Sequence, residues 1–456
     1  MMSKHYTLRA GVVLRSAEKS KQYKALNFIT GERFNINPFL YWCIVDYLKG
    51  RIDLEKDDFL IPYFEHLCKI GILERKENRG KLSQFDIINY RGHLVETILW
   101  HITDACNCNC RHCYLKTRKV NHPFDLEMDK VEYILGQMSE VGVLSLNLSG
   151  GEVGLINNLD EILNRIHKRK IHIEGIFSNG TLVNQIETIN KFPQKITVYV
   201  SIDGASSKTH DDFRRAPGSF DKAISLSSAL DRKKHRLAIN SIIHKNNVEE
   251  IDDFFNLIMD IHPSGWRVET PFPSEKWSAN KDYFVPVDLS IKVYKKILEK
   301  WLAAGEPFDL ELGQLFRSRA KFLGERRFSL RDGVCSYYEG MFGLNPDGTV
   351  LHCPALDVSM SSGNIFEKKL SEIIESEHMR FLKTLSLSDL IMKNEEFNRC
   401  KTCPYLHICG LGCRANVYNL TRNYFGFDTF TCEQIKKGIP VLRDVLKGTE
   451  YEQYML

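Results

Sequence analysis

Cys106, Cys110 and Cys113 stand in the run Asp104-Ala105-Cys106-Asn107-Cys108-Asn109-Cys110-Arg111-His112-Cys113-Tyr114, a CxxxCxxC spacing. Three thiolates on one short loop can hold three corners of an iron–sulfur cube and leave the fourth iron without a protein ligand. An open iron binds a small molecule, so the loop implies chemistry rather than a structural staple. Cys108 lies between two of the ligands, and the frame makes it a bystander. A second set begins with Cys335, continues through Gly348-x4-Cys353 and Cys400-x2-Cys403-x5-Cys409-x3-Cys413, and ends at Cys432. Leaving Cys108 aside, ten of the chain's thirteen cysteines occupy these two motif sets, three in the first and seven in the second. Such clustering favours metal ligation over disulfides, with tetrahedral zinc as the alternative for the CxxC pair. Cys43 and Cys68 lie in apolar helical segments and read as core thiols.

Several polar motifs accompany the first set: Gly150-Gly151-Glu152, Ser178-Asn179-Gly180-Thr181, Ser201-Ile202-Asp203-Gly204 and His210-Asp211-Asp212-Phe213-Arg214. The elements that must position them follow from periodicity. From 96 to about 310, short apolar strands alternate with helices: Glu96–Ile102, Leu144–Ser149, His172–Phe177, Thr197–Ile202, Arg236–Ile242 and Trp266–Thr270, with helices near 126–140, 157–168, 184–191, 219–232 and 248–261. This alternation predicts an α/β fold with a parallel sheet, and the motifs follow successive strands, where loops at the carboxyl ends carry chemistry. Residues 1–95 read as a separate unit. Strand character runs over Tyr6–Leu14, Tyr23–Phe28 and Arg33–Ile36, followed by helices near Pro38–Lys49 and Asp57–Ile70, a winged-helix-like arrangement. Residues 311–334 bridge to a cysteine-rich unit over 335–440, and 441–456 form a tail.

The composition, 43% apolar and 26% charged over 456 residues, suits a soluble protein of two or three domains. The net charge of +4 is too small to argue for nucleic acid or anionic lipid. Within 53–69, five acidic residues oppose two lysines, which further disfavours DNA. The expectation is no nucleic acid, no membrane and a cytoplasmic location, since no apolar run approaches the roughly 20 residues that span a bilayer and Met-Met-Ser-Lys-His-Tyr lacks a signal-peptide core.

With CxxxCxxC and Gly-Gly-Glu in this order, the chain resembles the radical S-adenosylmethionine (SAM) enzymes. The resemblance implies a partial (β/α)6 barrel like an open TIM barrel. Cys106, Cys110 and Cys113 would hold a 4Fe–4S cluster whose open iron chelates SAM. The amino group of SAM would meet Gly150, Gly151 and Glu152, although Val153 replaces the family's usual proline. Ser178 and Asn179 match the family's Thr-Asn-Gly-Thr. Ser201 and Asp203 would face the ribose or carboxylate, Arg214 the carboxylate, and His112 the adenine.

The tail resembles the SPASM extension, except that 18 rather than 17 residues separate Cys413 and Cys432. By that resemblance Cys400, Cys403, Cys409 and Cys432 close one auxiliary 4Fe–4S cluster, for three clusters in all. Cys335, Cys353 and Cys413 hold another, with its fourth position open or filled by water or His352. Residues 1–95 resemble the RiPP recognition element, which captures the leader of a ribosomally made precursor peptide by strand addition.

The whole layout resembles sactipeptide and ranthipeptide synthases. It implies an oxidoreductase that forms an intramolecular thioether, supplied with electrons by an external reductant such as flavodoxin or ferredoxin. Carbon–carbon or carbon–oxygen crosslinking, epimerisation, formylglycine formation and a structural or electron-transfer iron–sulfur protein are the alternatives. The sequence selects no catalytic acid or base.

Overall fold

The computed structural model describes residues 5–78, 80–319, 328–335 and 340–455. Part of the expected bridging stretch, 320–327, lies outside them.

The N-terminal unit contains β1 (His5–Leu8), β2 (Val12–Ala17), β3 (Gln22–Asn27), β4 (Arg33–Asn35), β5 (Leu73–Lys76) and β6 (Ile87–Tyr90). The single strand expected over Tyr6–Leu14 is two strands, because the chain turns at Gly11, whose φ of 84° is open to glycine. β1 pairs with β5, and the other four form a sheet ordered β4-β3-β2-β6. The helix Pro38–Leu48 starts where Asn37 accepts from the Phe39 N–H and proline occupies the first turn. It and the helix Ile61–Lys69 bury Tyr41, Ile44, Phe64 and Leu67 against the strands. Cys43 is buried in this core and Cys68 half-buried at its margin.

The central sheet begins with β7 (Thr97–Thr103), and a small ribbon of β8 (Ala105–Cys106) and β9 (Arg118–Lys119) follows it. Next come β10 (Ser145–Gly150), β11 (His172–Ser178), β12 (Thr197–Ser201), β13 (Arg236–Ile242) and β14 (Gly265–Glu269). The six expected strands are therefore present, in the order expected, and mutually parallel. The sheet also goes further than the sequence suggested. β15 (Asp309–Leu312) adds a parallel strand beside β14, with β16 (Phe316–Arg317) antiparallel at that end. On the far side β17 (Met341–Leu344) runs parallel to β7 and is followed by antiparallel β18 (Thr349–Leu351) and β19 (Gly363–Asn364). Among the described residues β16 and β19 end the order without pairing, so the barrel stays open.

One face of the sheet packs into the main core and is apolar: Leu146, Leu148, Ile173, Ile176, Val198, Val200, Leu237 and Ile239 are each fully buried, while half-buried residues such as Asn147, Tyr199, Arg236 and Asn240 alternate with them. The helix Thr429–Leu446 lies along the helix Val287–Ala303, and its Ile435, Ile439 and Leu442 join the barrel core. The limit expected at residue 440 falls inside that helix.

The N-terminal unit is fastened to the barrel. Phe28 carbonyl and His172 Nδ1 lie 3.0 Å apart, Arg33 pairs with Glu174, Lys24 with Glu96, and Lys170 with Asp86.

Candidate functional site

The cluster loop leaves the carboxyl end of β7 and rests on backbone. The N–H groups of Asn109 and Arg111 donate to the carbonyls of Arg214 and Phe213, the last turn of a helix Ser207–Arg214 that the sequence reading missed. Cys106 and Cys110 are buried and Cys113 half-buried, in one small cluster with Ala216 and Cys108. Cys108 is more than a bystander in this geometry. Its sulfur accepts from Asn179 Nδ2 at 3.1 Å, and its thiol hydrogen-bonds toward both Cys106 and Cys110. That bond, with Arg214 assisting against burial, holds Cys110 down to about 7; burial pushes Cys113 up to about 11.

The Gly150-Gly151-Glu152 turn is packed under this loop. A Cβ on Gly150 would lie 2.3 Å from the Thr103 carbonyl oxygen, and one on Gly151 would lie 2.0 Å from that of Ala105. The glycines thus let the turn touch the base of the cluster loop, and Gly151 and Glu152 donate backbone N–H bonds to Thr103 and Ala105. Glu152 is 1% exposed and accepts from Ser178 Oγ at 2.7 Å, Asn179 N–H at 2.7 Å and Gly154 N–H at 2.8 Å. Burial raises its carboxyl, and those three donors oppose the rise. A carboxylate offers about four lone-pair positions, so one remains for a further donor. Asn179 also reaches Asn107 Oδ1 at 2.8 Å, which ties the third strand's loop to the cluster loop.

Asp203 organises the other side. Its Oδ2 accepts from Arg214 Nε at 2.8 Å and Nη2 at 2.7 Å, and its Oδ1 accepts from the Ile242 N–H at 2.8 Å. Burial works to raise this carboxyl, but Arg214, His112, His210 and the Ile242 N–H together outweigh it and hold Asp203 at about 2. Arg214 is raised despite its own burial, chiefly by Asp203, and its Nη1 lies 3.9 Å from Cys110 Sγ. The guanidinium expected to meet a ligand carboxylate is therefore largely engaged by the protein. The His112 ring stacks on Phe213 at 4.9 Å, and Phe213 stacks on His244 at 3.8 Å. Burial pushes His112 down to about 3 and its Nδ1 has no partner, so a neutral ring faces the site with an open polar atom. Ser201 ends β12 opposite Asn240, whose buried Oδ1 is likewise without a partner.

In the tail, Cys400, Cys403, Cys409 and Cys432 line one cavity of about 440 Å³. Half-buried Cys335, Cys353 and Cys413 pack against one apolar cluster, and desolvation, then Cys335 and Cys413, push the Cys353 thiol up. Asp428 bridges the two groups: its Oδ2 accepts from the Cys413 N–H at 2.8 Å, and its carboxylate lines the first cavity. His352 Nε2 lies 3.2 Å from Tyr424 Oη, and burial holds the imidazole down at about 3. A polar cavity of about 370 Å³ opens at the end of β14, between Glu269 and the tail residues Asn416, Thr431 and Gln434.

These donors suit iron–sulfur clusters and SAM. Soft thiols are gathered in three sets, one set around a cavity, while the partnerless Asn240 Oδ1 and His112 Nδ1 offer hydrogen bonds to a polar ligand. No helix among the described residues is long and apolar enough to cross a membrane.

Residues 100–258 match the radical SAM superfamily, and residues 335–404 match an iron–sulfur cluster-binding domain, SPASM. Among curated proteins, the chain is 27% identical over 345 residues to an AdoMet-dependent heme synthase of Methanosarcina barkeri, covering 72% of this chain and 93% of that one. It is 23% identical over 319 residues to the antilisterial bacteriocin subtilosin biosynthesis protein AlbA of Bacillus subtilis, covering 69% and 66%. Among solved structures, Streptococcus suis SuiB bound to its precursor peptide SuiA superposes with a TM-score of 0.68 at 16% identity, over 94% of this chain and all of that one. The chain carries a radical SAM domain over residues 100–258 and a SPASM iron–sulfur cluster-binding domain over 335–404.

Proposed function

We propose that the protein is a peptide maturase that closes an intramolecular thioether in a ribosomally made precursor, held through its leader. The observation that carries this reading is the sorting of seven tail cysteines into two groups beside an open barrel, behind an N-terminal unit with a strand at its sheet edge. When bound, SAM and the cluster on Cys106, Cys110 and Cys113 supply a 5′-deoxyadenosyl radical, with the electron coming from an external flavodoxin or ferredoxin.

The protein's own residues do the rest. Glu152, with one acceptor position left, and the glycine turn hold the amino group of SAM. Ser201 and Asn240 face its ribose, and His112 lines the adenine. Cys400, Cys403, Cys409 and Cys432 close one auxiliary cluster; Cys335, Cys353 and Cys413 hold a second with an open position. The leader adds to β4, and the modified segment lies in the polar cavity beside Glu269. In the net reaction a C–H and an S–H would give way to a C–S bond: one hydrogen atom would pass to the 5′-deoxyadenosyl radical to give 5′-deoxyadenosine, the thiol hydrogen would leave as a proton, and the electron released would be taken up by the auxiliary cluster that Cys335, Cys353 and Cys413 would hold. SuiB with its bound precursor peptide and AlbA, named for bacteriocin biosynthesis, support a peptide substrate.

Mass spectrometry of a cysteine-containing precursor peptide co-expressed with the protein tests the reading. The expected product is lighter by two hydrogens and has one fewer alkylatable thiol. A product that keeps every thiol would move the assignment to a carbon–carbon or carbon–oxygen crosslink. A tetrapyrrole substrate is the second reading, favoured by the heme synthase relative. Turnover of a heme-precursor porphyrin, with no change in any peptide, would establish it.

A further inference from the structure

Buried polar atoms without a partner gather at one place that the cysteine motifs do not mark. The polar cavity at the end of β14 is walled by two helices of the tail and by Gly313 and Gln314, which follow β15. On the helix Thr429–Leu446, Cys432 lines the cavity of four cysteines, while its neighbours Thr431 and Gln434 line this one. Asn416 enters from the helix Arg414–Thr421, which begins directly after Cys413. The helices that line this cavity thus also carry or adjoin cysteines of both tail groups.

Gln434 is 3% exposed, and its Nε2, a donor, has no hydrogen-bond partner among the described residues. Asn416 Oδ1, an acceptor, is likewise buried without a partner among them. A third such atom stands behind the wall. Tyr294 Oη is buried and unpartnered among the described residues, and a Cβ on Gly313 would lie only 3.0 Å from it. Folded proteins leave few buried polar groups unpaired, because each forfeits its hydration without return. An unpaired donor and an unpaired acceptor at one cavity are the complement of an amide, which offers one carbonyl oxygen and one N–H. A carboxylate guest fits less well. Glu269 lines the same cavity, and Arg267, 4.0 Å from it, is bonded to Glu311 at 2.8 Å, so an anion would meet like charge.

We propose that Gln434 and Asn416 clamp one amide group of the peptide being modified: Gln434 Nε2 donates to its carbonyl and Asn416 Oδ1 accepts from its N–H. An extended chain carries such a group at every residue, and an asparagine or glutamine side chain carries another. The inference rests on the peptide reading above but not on which bond is formed.

The test is the ratio of modified peptide to 5′-deoxyadenosine, measured on reconstituted full-length protein at equal iron content with a cysteine-containing precursor peptide. The ratio should fall about tenfold in Gln434→Met and in Asn416→Leu, which keep side-chain bulk but lose the hydrogen bond. Chemical unfolding should find Gln434→Met no less stable than wild type, since a buried donor without a partner is removed. A ratio within about threefold of wild type in both variants overturns the clamp. An unfolding constant raised more than about threefold in Gln434→Met also overturns it, because Nε2 would then be a strut of the fold. Changing each asparagine and glutamine of the modified segment to alanine separates the two sources of the amide. An unchanged ratio assigns the clamp to main chain, and a fall of about tenfold assigns it to a side-chain carboxamide. Wild type that modifies no precursor peptide but turns over a porphyrin would overturn the peptide reading, and the clamp with it.

Discussion

Arg214 grips Asp203 through two nitrogens, Nε at 2.8 Å and Nη2 at 2.7 Å, with both side chains buried beneath the cluster loop. The pair couples the end of the fourth barrel strand to the helix whose last carbonyls hold Asn109 and Arg111. Asp203→Asn leaves a buried guanidinium without its counter-charge, a loss of about 3–5 kcal/mol. Chemical unfolding of cluster-free protein should show this drop. The double variant Asp203→Asn, Arg214→Met should recover much of it, because no unpaired charge remains.

His210 predicts a pH dependence. Burial, aided by Arg214 and opposed by Asp203 and Asp211, holds it at about 4 against an ordinary 6.5, and His244 also faces it. The unfolded chain then binds a proton more readily than the folded one. Stability is full above pH 6.5 and falls as pH drops toward 4. Between pH 7.5 and 5 the loss should be about 2 kcal/mol. Unfolding curves for His210→Gln should lack that component of the slope.

The cysteine groups predict separable defects. Cys110→Ala should abolish formation of 5′-deoxyadenosine, read by chromatography, while Cys400→Ala should leave it within about threefold and lose peptide product. Reconstituted wild type should carry roughly 12 iron per chain, three cubes of four, and Cys400→Ala about 8. Iron near 4 in wild type would remove the auxiliary clusters.

The sheet edge predicts a leader-binding variant that keeps the fold. Phe34 faces Ala25 across the ladder, and Glu32 and Ile36 bond to β3, so by alternation Arg33 and Asn35 present their backbone outward. Asn35→Pro removes an outward donor without touching those bonds. Affinity for the precursor peptide should fall about tenfold in fluorescence anisotropy, with SAM cleavage unchanged. Deleting the whole unit is a poorer test, because it would uncover Leu144, packed against Val13, Leu26 and Phe28.

Much of this site was legible as spacing. Arg236–Ile242 read correctly because buried Leu237 and Ile239 alternate with half-buried Arg236, Ala238 and Asn240, the period of a strand, and Gly-Gly-Glu marks a turn on any backbone. The helix Ser207–Arg214 was not legible: five of its eight residues are charged or histidine, and Arg214 is buried through a salt bridge that only the tertiary fold assembles. The frame sets Cys108 apart from the three expected ligands; what it does not reveal is that the Cys108 sulfur accepts from Asn179.

β17 pairs with β7 although roughly 240 residues separate them in the chain. During synthesis the strand that carries the cluster loop is finished early, but one of its edges stays open until residues beyond 340 emerge. A ribosome adding about 5–20 residues per second leaves that edge uncovered for tens of seconds. The barrel is consequently a fold that its own C-terminal segment must seal, and an unsealed edge is a ready template for pairing with another chain. Truncation before residue 341 should therefore yield aggregates rather than a smaller soluble barrel.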